Sequence, residues 1–329
     1  MGLGLLATGC PVFPNQIHLQ PCRSARPGGV GNRSGPFFVG LCRGGRVSEL
    51  NLSLAISPCP NDTFLFETLV GEVRAAGGRV QFLDIAQLNA LHDAPTRPDV
   101  VKVSCASAPL FHSHYRLLRC AGAFAHAVGP LVLSRPEPSG AGVGLPGQGT
   151  TAHILWRMWC RTCGIDPQPE EFERFDRIPT RLAAGDWRRA VVIHESRFTY
   201  RDAGLVEEAD LGVAWNDSTG LPVPLGCVLV RRDLGDDMAR RIANILVESA
   251  TIAMAREEPS TRFVREHAAE MSQAIQALHI RTYANKRSLD CGKEGLEALL
   301  RLWEEARSIQ PWPVDATSLH RWVGDSIGA

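Results

Sequence analysis

One stretch of the chain gathers side chains that can do chemistry. Val191–Ile193 is a run of β-branched apolar residues, typical of a short strand buried on both faces. His194 follows at once, and a carboxylate, a hydroxyl, a guanidinium and the phenol of Tyr200 come soon after. Ligands of open α/β sheets collect beyond the carboxyl ends of strands, so we expect His194 at the mouth of a cleft, where an imidazole can accept a proton. The alternative is a histidine that only caps its own strand, but the crowding of polar groups favours a site.

Two further segments have the pattern of a strand that turns into the N-terminus of a helix. Ser57–Thr63 contains two prolines that fix a turn, with Asn61 or Asp62 as the predicted N-cap. Gly147–Thr151 leads into a helix predicted over 152–163, with a threonine hydroxyl as its N-cap. Free amides at a helix N-terminus suit a carboxylate or a phosphate. The alternatives are an ordinary turn and a plain N-cap, and the signature of a P-loop is absent.

A lysine stands inside an otherwise apolar strand, which is predicted over 99–104. Lys102 is one of only three lysines in the chain, and the strand ends in Val103 and Ser104. Such a lysine lies either on an edge strand, with its ammonium group reaching water, or against a ligand. The scarcity of lysine favours the ligand.

Composition excludes several classes of partner. The 329 residues include 35 basic and 35 acidic side chains, and this balance argues against nucleic acid or an anionic membrane as the main partner. No apolar run reaches the roughly 18 residues of a membrane span. The pair Cys160 and Cys163 falls at the end of a predicted helix, without a second pair at zinc-site spacing. We therefore expect no metal, no cofactor and a reduced, cytoplasmic protein.

Residues 1–46 differ from the rest of the chain. They hold ten Gly, five Pro and five Arg but no acidic residue, and they show no sustained periodicity. This composition predicts a disordered extension. This composition also resembles that of a transit peptide, and the segment Leu6–Cys10 loosely resembles a lipoprotein cleavage site. We favour a third interpretation, in which translation begins near Val47.

Chain length and patterning predict an α/β protein with two lobes. A Pro/Gly-rich connector over 136–142 marks the first boundary, and the proline-containing segment 221–226 is expected to return to the first lobe. The predicted lobes are residues 47–135 plus 228–329 (lobe 1) and residues 136–227 (lobe 2). Helices are predicted over 236–258, 260–279 and 293–308. The segment 283–290 is predicted as a loop, which either closes over a ligand or simply lies on the surface.

Taken in order, several segments resemble one family, the 1,4-dihydroxy-6-naphthoate synthases of the futalosine route to menaquinone. The resemblance spans roughly 52–302 and is carried most specifically by Ser-Pro-Cys-Pro-Asn-Asp-Thr-Phe and His-Glu-x-Arg-Phe-Thr-Tyr. The segments that carry it are Ser57–Phe64, Lys102–Ser104, Gly129–Val132, Pro146–Thr151, His194–Tyr200 and Thr219–Gly226. The chain departs from the family at Phe124–Val128, where a glycine-containing stretch is usual.

The resemblance implies a fold like that of the type II periplasmic binding proteins, with the ligand in a cleft between the lobes. It implies a carbon-carbon lyase that acts on cyclic dehypoxanthine futalosine and releases the sugar-derived fragment as the bicycle becomes aromatic. It also implies that His194 is the proton acceptor and that the substrate, a small carboxylate, is bound by Lys102–Ser104, Thr150 and Thr151. Oligomeric state is left open.

Two other functions are compatible with this sequence. The first is a non-catalytic solute-binding protein of the same fold, which a credible secretion signal would favour. The second is chorismate dehydratase, which resembles this fold but lacks the His-Glu-x-Arg-Phe-Thr-Tyr segment.

Overall fold

The structure is a computed structural model, and it describes residues 50–166, 168–268, 271–309 and 311–329. The predictions made for residues 1–46 therefore lie outside the described residues. The strands are β1 Ser53–Ile56, β2 Arg79–Phe82, β3 Val100–Ser104, β4 Tyr115–Ala125, β5 Leu131–Ser134, β6 Val143–Leu145, β7 Glu170–Phe172, β8 Arg189–Val192, β9 Val206–Asp210 and β10 Val223–Arg231. The α-helices are α1 Pro60–Ala75, α2 Ile85–Ala90, α3 Thr151–Cys163, α4 Ile178–Ala184, α5 Ser196–Thr199, α6 Leu211–Thr219, α7 Gly235–Met254, α8 Arg262–His267, α9 Gln273–Tyr283, α10 Lys286–Leu289, α11 Gly292–Arg307 and α12 Ala316–Gly324.

The strands form two five-stranded mixed sheets. In the first sheet the order is β2-β1-β3-β10-β4, with β1 parallel to β2 and β3, and β10 antiparallel to β3 and β4. In the second sheet the order is β7-β6-β8-β5-β9, with β6 parallel to β7 and β8, and β5 antiparallel to β8 and β9. Two sheets in one chain agree with the predicted α/β fold of two lobes.

The chain passes between the sheets twice, and both crossings differ from the predicted boundaries. β5 is hydrogen-bonded to β8 and β9 in the second sheet, so the first crossing lies between β4 and β5 and not at the connector 136–142. β10 begins at Val223 and belongs to the first sheet, so the return comes a few residues before the predicted 228. The Pro/Gly-rich connector misled because it joins two strands of the same sheet, β5 and β6.

Hydrophobic packing explains why these strands form. Val191 and Val192 of β8 are fully buried, as the apolar run predicted, and β8 lies between β5 and β6 in the middle of its sheet. In the first sheet, β1 and β10 pack against an apolar layer that α1 and α7 provide. Apolar residues of β3 and β10, together with those of α3 and α11, form a second cluster that reaches the other sheet.

The region after β10 is helical, as predicted, but the helices predicted over 236–258 and 260–279 are longer than those observed. A single helix was expected over 260–279, whereas the structure has α8 and α9, each with its own N-cap, Thr261 and Ser272. The predicted loop over 283–290 contains α10 and packs on β4: the buried Ser288 donates a hydrogen bond to the Gly122 carbonyl at 3.1 Å. The segment is thus part of lobe 1.

Candidate active site

A cavity of about 110 Å³ lies between the two sheets. The strands explain its position, because the carboxyl ends of β1 and β3 in one sheet and of β6 and β8 in the other face it. All six residues predicted for the site line this cavity. They are Lys102, Val103 and Ser104 from lobe 1, and Thr150, Thr151 and His194 from lobe 2.

His194 follows β8 in a backbone conformation that residues other than glycine rarely adopt. Its φ is +55°, in the left-handed region, where a residue with a Cβ is strained. Its ring meets the edge of Phe175 with 4.8 Å between ring centroids. Burial lowers the pKa of His194 to about 4, with a further lowering from Lys102 and an opposing influence from Asp62. The imidazole is therefore neutral at neutral pH and able to accept a proton.

The Lys102 ammonium group lies inside the protein and is paired. Lys102 is 2% exposed and sits on β3, the central strand of its sheet, so the alternative of an edge lysine reaching water is wrong. Its Nζ donates to a carboxylate oxygen of Asp62 at 2.6 Å and to the Ala121 carbonyl at 2.9 Å. Burial alone would lower the pKa of Lys102, but Asp62 holds that pKa above its ordinary value. The cavity wall thus carries a buried ion pair.

Two helices begin at the cavity from opposite lobes. α1 has Pro60 in its first turn, and its N-cap is Cys59, so the prediction of Asn61 or Asp62 as the cap is wrong. Those two residues stand in the first turn itself, because the prolines start the helix earlier than a side-chain cap would. α3 has the predicted kind of cap: the Thr150 hydroxyl accepts from the His153 amide at 3.2 Å. Amides in the first turn of a helix have no intrahelical partner. Pro60 has no N–H, so the amides of Asn61 and Asp62 in α1, and those of Thr151 and Ala152 in α3, can bind an anionic group.

The Thr151 hydroxyl joins the two lobes. It donates to the Leu225 carbonyl at 3.1 Å and accepts from the Ala106 amide at 3.2 Å, and both partners belong to lobe 1. Next to it, the Ser107 hydroxyl donates to the Gly149 carbonyl at 2.9 Å. These contacts hold the start of α3 against the first sheet, across the cavity.

A side-chain amide fixes Ser104 at the end of β3. Asn89 on α2 donates to the Ser104 hydroxyl at 3.0 Å and accepts from the Ser104 amide at 2.9 Å. Both residues are buried, and so is Val103 beside them. These hydrogen bonds fix the orientation of the Ser104 hydroxyl, as a substrate-binding group requires.

Arg197, five residues after the end of β8, fixes another part of the wall. It pairs with Asp210 at 2.5 Å and donates to the Gly129 carbonyl at 2.5 Å, while Asp210 accepts from the Gly129 amide. A Cβ at Gly129 would lie 2.6 Å from the Gly212 nitrogen, so the two backbones touch only because both residues are glycines. The first crossing between the lobes, where Gly129 and Pro130 line the cavity, is thereby held in place.

Sequence reasoning missed three residues of this site. Asp62 was considered only as a helix cap, yet it lines the cavity and pairs with Lys102. His279 and Tyr283, one turn apart on α9, also line it and bring a second imidazole close to His194. The one available signal was the placement of a histidine and a tyrosine on the same helix face.

Among the residues that the structure describes, no group of three His, Cys, Asp or Glu side chains is arranged to hold a metal ion. Cys160 and Cys163 lie at the end of α3, as predicted, and neither forms a disulfide within the described residues. No helix in the described ranges combines the length and the apolar character needed to cross a membrane.

The fold and the cavity define a class of protein, the two-lobed periplasmic-binding-protein-like fold. A protein from Archaeoglobus fulgidus aligns with a TM-score of 0.70 at 22% identity, over 79% of this chain and 98% of its own. The sulphonate-binding protein SsuA of Xanthomonas axonopodis, bound to MOPS, aligns with a TM-score of 0.61 at 10% identity, over 82% and 96%. The predicted fold class is confirmed.

Sequence comparison identifies the family. Residues 52–308 match a family described as menaquinone biosynthesis. The chain is 40% identical to a 1,4-dihydroxy-6-naphthoate synthase of Thermus thermophilus, over 78% of this chain and 94% of the relative. It is 37% identical to the enzyme of the same name from Streptomyces coelicolor, over 79% and 94%. The chain therefore belongs to this menaquinone-biosynthesis family, which confirms the resemblance found in the sequence and supports an enzyme of that pathway.

Proposed function

We propose that this protein converts cyclic dehypoxanthine futalosine to 1,4-dihydroxy-6-naphthoate, as a carbon-carbon lyase with His194 as the proton acceptor. The observation that carries the proposal is a neutral imidazole on the wall of a cavity between two lobes, which the N-termini of α1 and α3 also line. The names of the two relatives support the product. We place the reaction in the cytoplasm, as the cysteine pattern led us to expect.

Each part of the cavity has a task in this reaction. The amides at the start of α1 and α3 hold the substrate carboxylate, and Ser104 and the Lys102–Asp62 pair orient the bicycle. His194 removes a hydroxyl proton from the sugar-derived fragment, and the electron pair left on that oxygen forms a carbonyl there as the carbon-carbon bond breaks. The electron pair of the broken bond enters the ring system, and an oxygen of the ring system takes up the proton. Aromatisation of the bicycle makes the step favourable, and the buried site keeps water away from it.

The test is direct turnover. Purified protein is incubated with cyclic dehypoxanthine futalosine, and the naphthoate is detected by absorbance and mass. We expect His194→Ala to lower kcat by about 10²- to 10⁴-fold, the range for loss of a general base. His320→Ala is the matched control, since His320 is exposed on α12 and outside the cavity. Unchanged turnover in His194→Ala removes this histidine from the mechanism.

The same assay separates the two other functions. The likeness to sulphonate-binding proteins makes solute capture the second candidate. Tight binding of the futalosine derivative without naphthoate formation supports solute capture. Loss of water from chorismate, tested in parallel, supports the dehydratase. Either result refutes the proposed lyase reaction.

A further inference from the structure

His279 is a buried histidine whose ring has no hydrogen-bond partner among the described residues. It lies on α9, is 1% exposed and lines the cavity. Within the described ranges, neither Nδ1 nor Nε2 is within hydrogen-bond distance of a protein group. Its neighbours are rings: His194, nearly parallel with 5.9 Å between centroids, Tyr283 at 4.9 Å and Phe198 at 6.1 Å.

Such a ring is costly for the fold. Nearly all buried polar groups in proteins have a hydrogen-bond partner, and a group left without one destabilises the native state. A phenylalanine would have the same planar shape and would suit an environment of aromatic rings. The site therefore keeps two polar atoms that folding does not need, as is common where a group is reserved for a ligand.

The charge state of His279 limits the kind of group that it can bind. Burial lowers the pKa of His279 well below its ordinary value, and the neighbouring His194 lowers it further. A neutral imidazole offers one N–H donor and one acceptor nitrogen. Such a ring suits a hydroxyl or carbonyl oxygen, whereas the helix N-termini on the cavity wall suit a carboxylate.

We propose that His279 is a substrate-binding residue, which forms a hydrogen bond to a hydroxyl or carbonyl oxygen of the substrate next to the position that His194 deprotonates. The inference rests on the proposed function for the identity of the substrate. His279 comes from lobe 1 and His194 from lobe 2, so a substrate held by both imidazoles bridges the lobes. His279 would then fix the reacting carbon relative to the base.

The test compares His279→Phe with His279→Gln. The phenylalanine keeps the ring shape and removes both nitrogens, and the glutamine keeps a donor and an acceptor. We expect His279→Phe to have a Tm equal to or above that of the wild type, while kcat/KM for cyclic dehypoxanthine futalosine falls about 10- to 100-fold. His279→Gln is expected to retain more of the activity. His320→Phe, on the exposed face of α12, is the matched control.

A binding measurement keeps this proposal separate from the proposed reaction. Calorimetric titration with 1,4-dihydroxy-6-naphthoate reports on the site without turnover, and His279→Phe is expected to bind it more weakly than the wild type. If the wild type turns over substrate and His279→Phe matches it in kcat/KM and in affinity for the naphthoate, His279 has no role in binding. If His279→Phe lowers the Tm and His279→Gln binds the naphthoate no better than His279→Phe does, the loss follows destabilisation and not a missing hydrogen bond, and the proposal is wrong. A wild-type protein that neither binds nor converts these compounds overturns the proposed function, and this inference with it.

Discussion

The pH dependence of turnover tests the environment of His194 most directly. Burial holds the pKa of His194 at about 4, whereas a histidine in water titrates near 6.5. At pH 5.5 a base with a pKa of about 4 is still about 97% deprotonated, and one with a pKa of about 6.5 is only about 9% deprotonated. We therefore expect kcat/KM to stay on its plateau down to pH 5 and to fall with a midpoint near 4.

The assay is kcat/KM measured between pH 3.5 and 8, because this ratio reports ionisations of the free enzyme and the free substrate. The substrate carboxylate also titrates in the acid range, so its pKa is measured separately. The residual activity of His194→Gln serves as the control, since an acid limb that belongs to the imidazole is absent from that variant. A wild-type midpoint near 6.5 would show that the ring is solvated, and the reasoning from burial would then be wrong.

The same pKa shift makes a prediction about stability. The unfolded chain takes up a proton on His194 near pH 6.5, and the folded chain does so only near pH 4. Between these values the unfolded state binds more protons, so the free energy of unfolding decreases as pH falls. Because of this one group, the free energy of unfolding is expected to be about 2 kcal/mol lower at pH 5 than at pH 7.5. Urea unfolding of the wild type and of His194→Gln measures it, and equal pH dependence in the two proteins would contradict it.

Three further predictions concern stability, measured by urea or thermal unfolding. Lys102→Met is expected to lower the free energy of unfolding by about 3–5 kcal/mol, because it leaves the Asp62 carboxylate buried without its ion-pair partner. Adding Asp62→Asn should recover part of that loss. If the losses of the two single variants simply add in the double variant, the two residues do not stabilise the fold as a pair. Ala127→Gly is expected to raise the Tm by about 2–4 °C, because Ala127 has φ +52°; a lower Tm would refute strain there. Gly212→Ala should lower the Tm, because the new Cβ would lie 2.3 Å from the Val128 carbonyl carbon. An unchanged Tm would mean that the backbone of the first crossing, between β4 and β5, can move away from the new methyl group.

Local sequence patterns predicted most of the elements that form the site. The apolar run before His194, the alternating strand before Ser57 and the hydroxyl that caps α3 are all signals within a few residues of the element they define. Because the carboxyl ends of such strands meet at one side of a sheet, the predicted site residues of both lobes could be expected on one cavity. The structure brings all six together. Their roles in binding and catalysis stay predictions.

Other features depend on contacts between distant parts of the chain. His279 gains its significance only from the ring of His194, far away in sequence, and Asp62 only from Lys102. β10 lies between β3 and β4, and an inner strand normally excludes proline because proline cannot donate a backbone hydrogen bond to its neighbour. Pro224 is tolerated because the pairing of β10 with β4 is irregular directly after it. Local sequence patterns could not predict these contacts, because the partners are far apart in the sequence.

The size of the cavity and the contacts of Thr151 together constrain how the protein works. A cavity of about 110 Å³ is smaller than the roughly 300–1,000 Å³ of typical small-molecule sites, so we expect the lobes to separate when the proposed substrate, a bicycle that carries a sugar, enters. Separation breaks the bonds from the Thr151 hydroxyl to Leu225 and from the Ala106 amide to that hydroxyl. In the mechanism that we propose, the hydroxyl of Thr151 would therefore serve lobe closure, and its amide, in the first turn of α3, would meet the substrate. Closure would then return His194 of one lobe to His279 of the other, so we expect the geometry for proton transfer to be complete only once the substrate is enclosed.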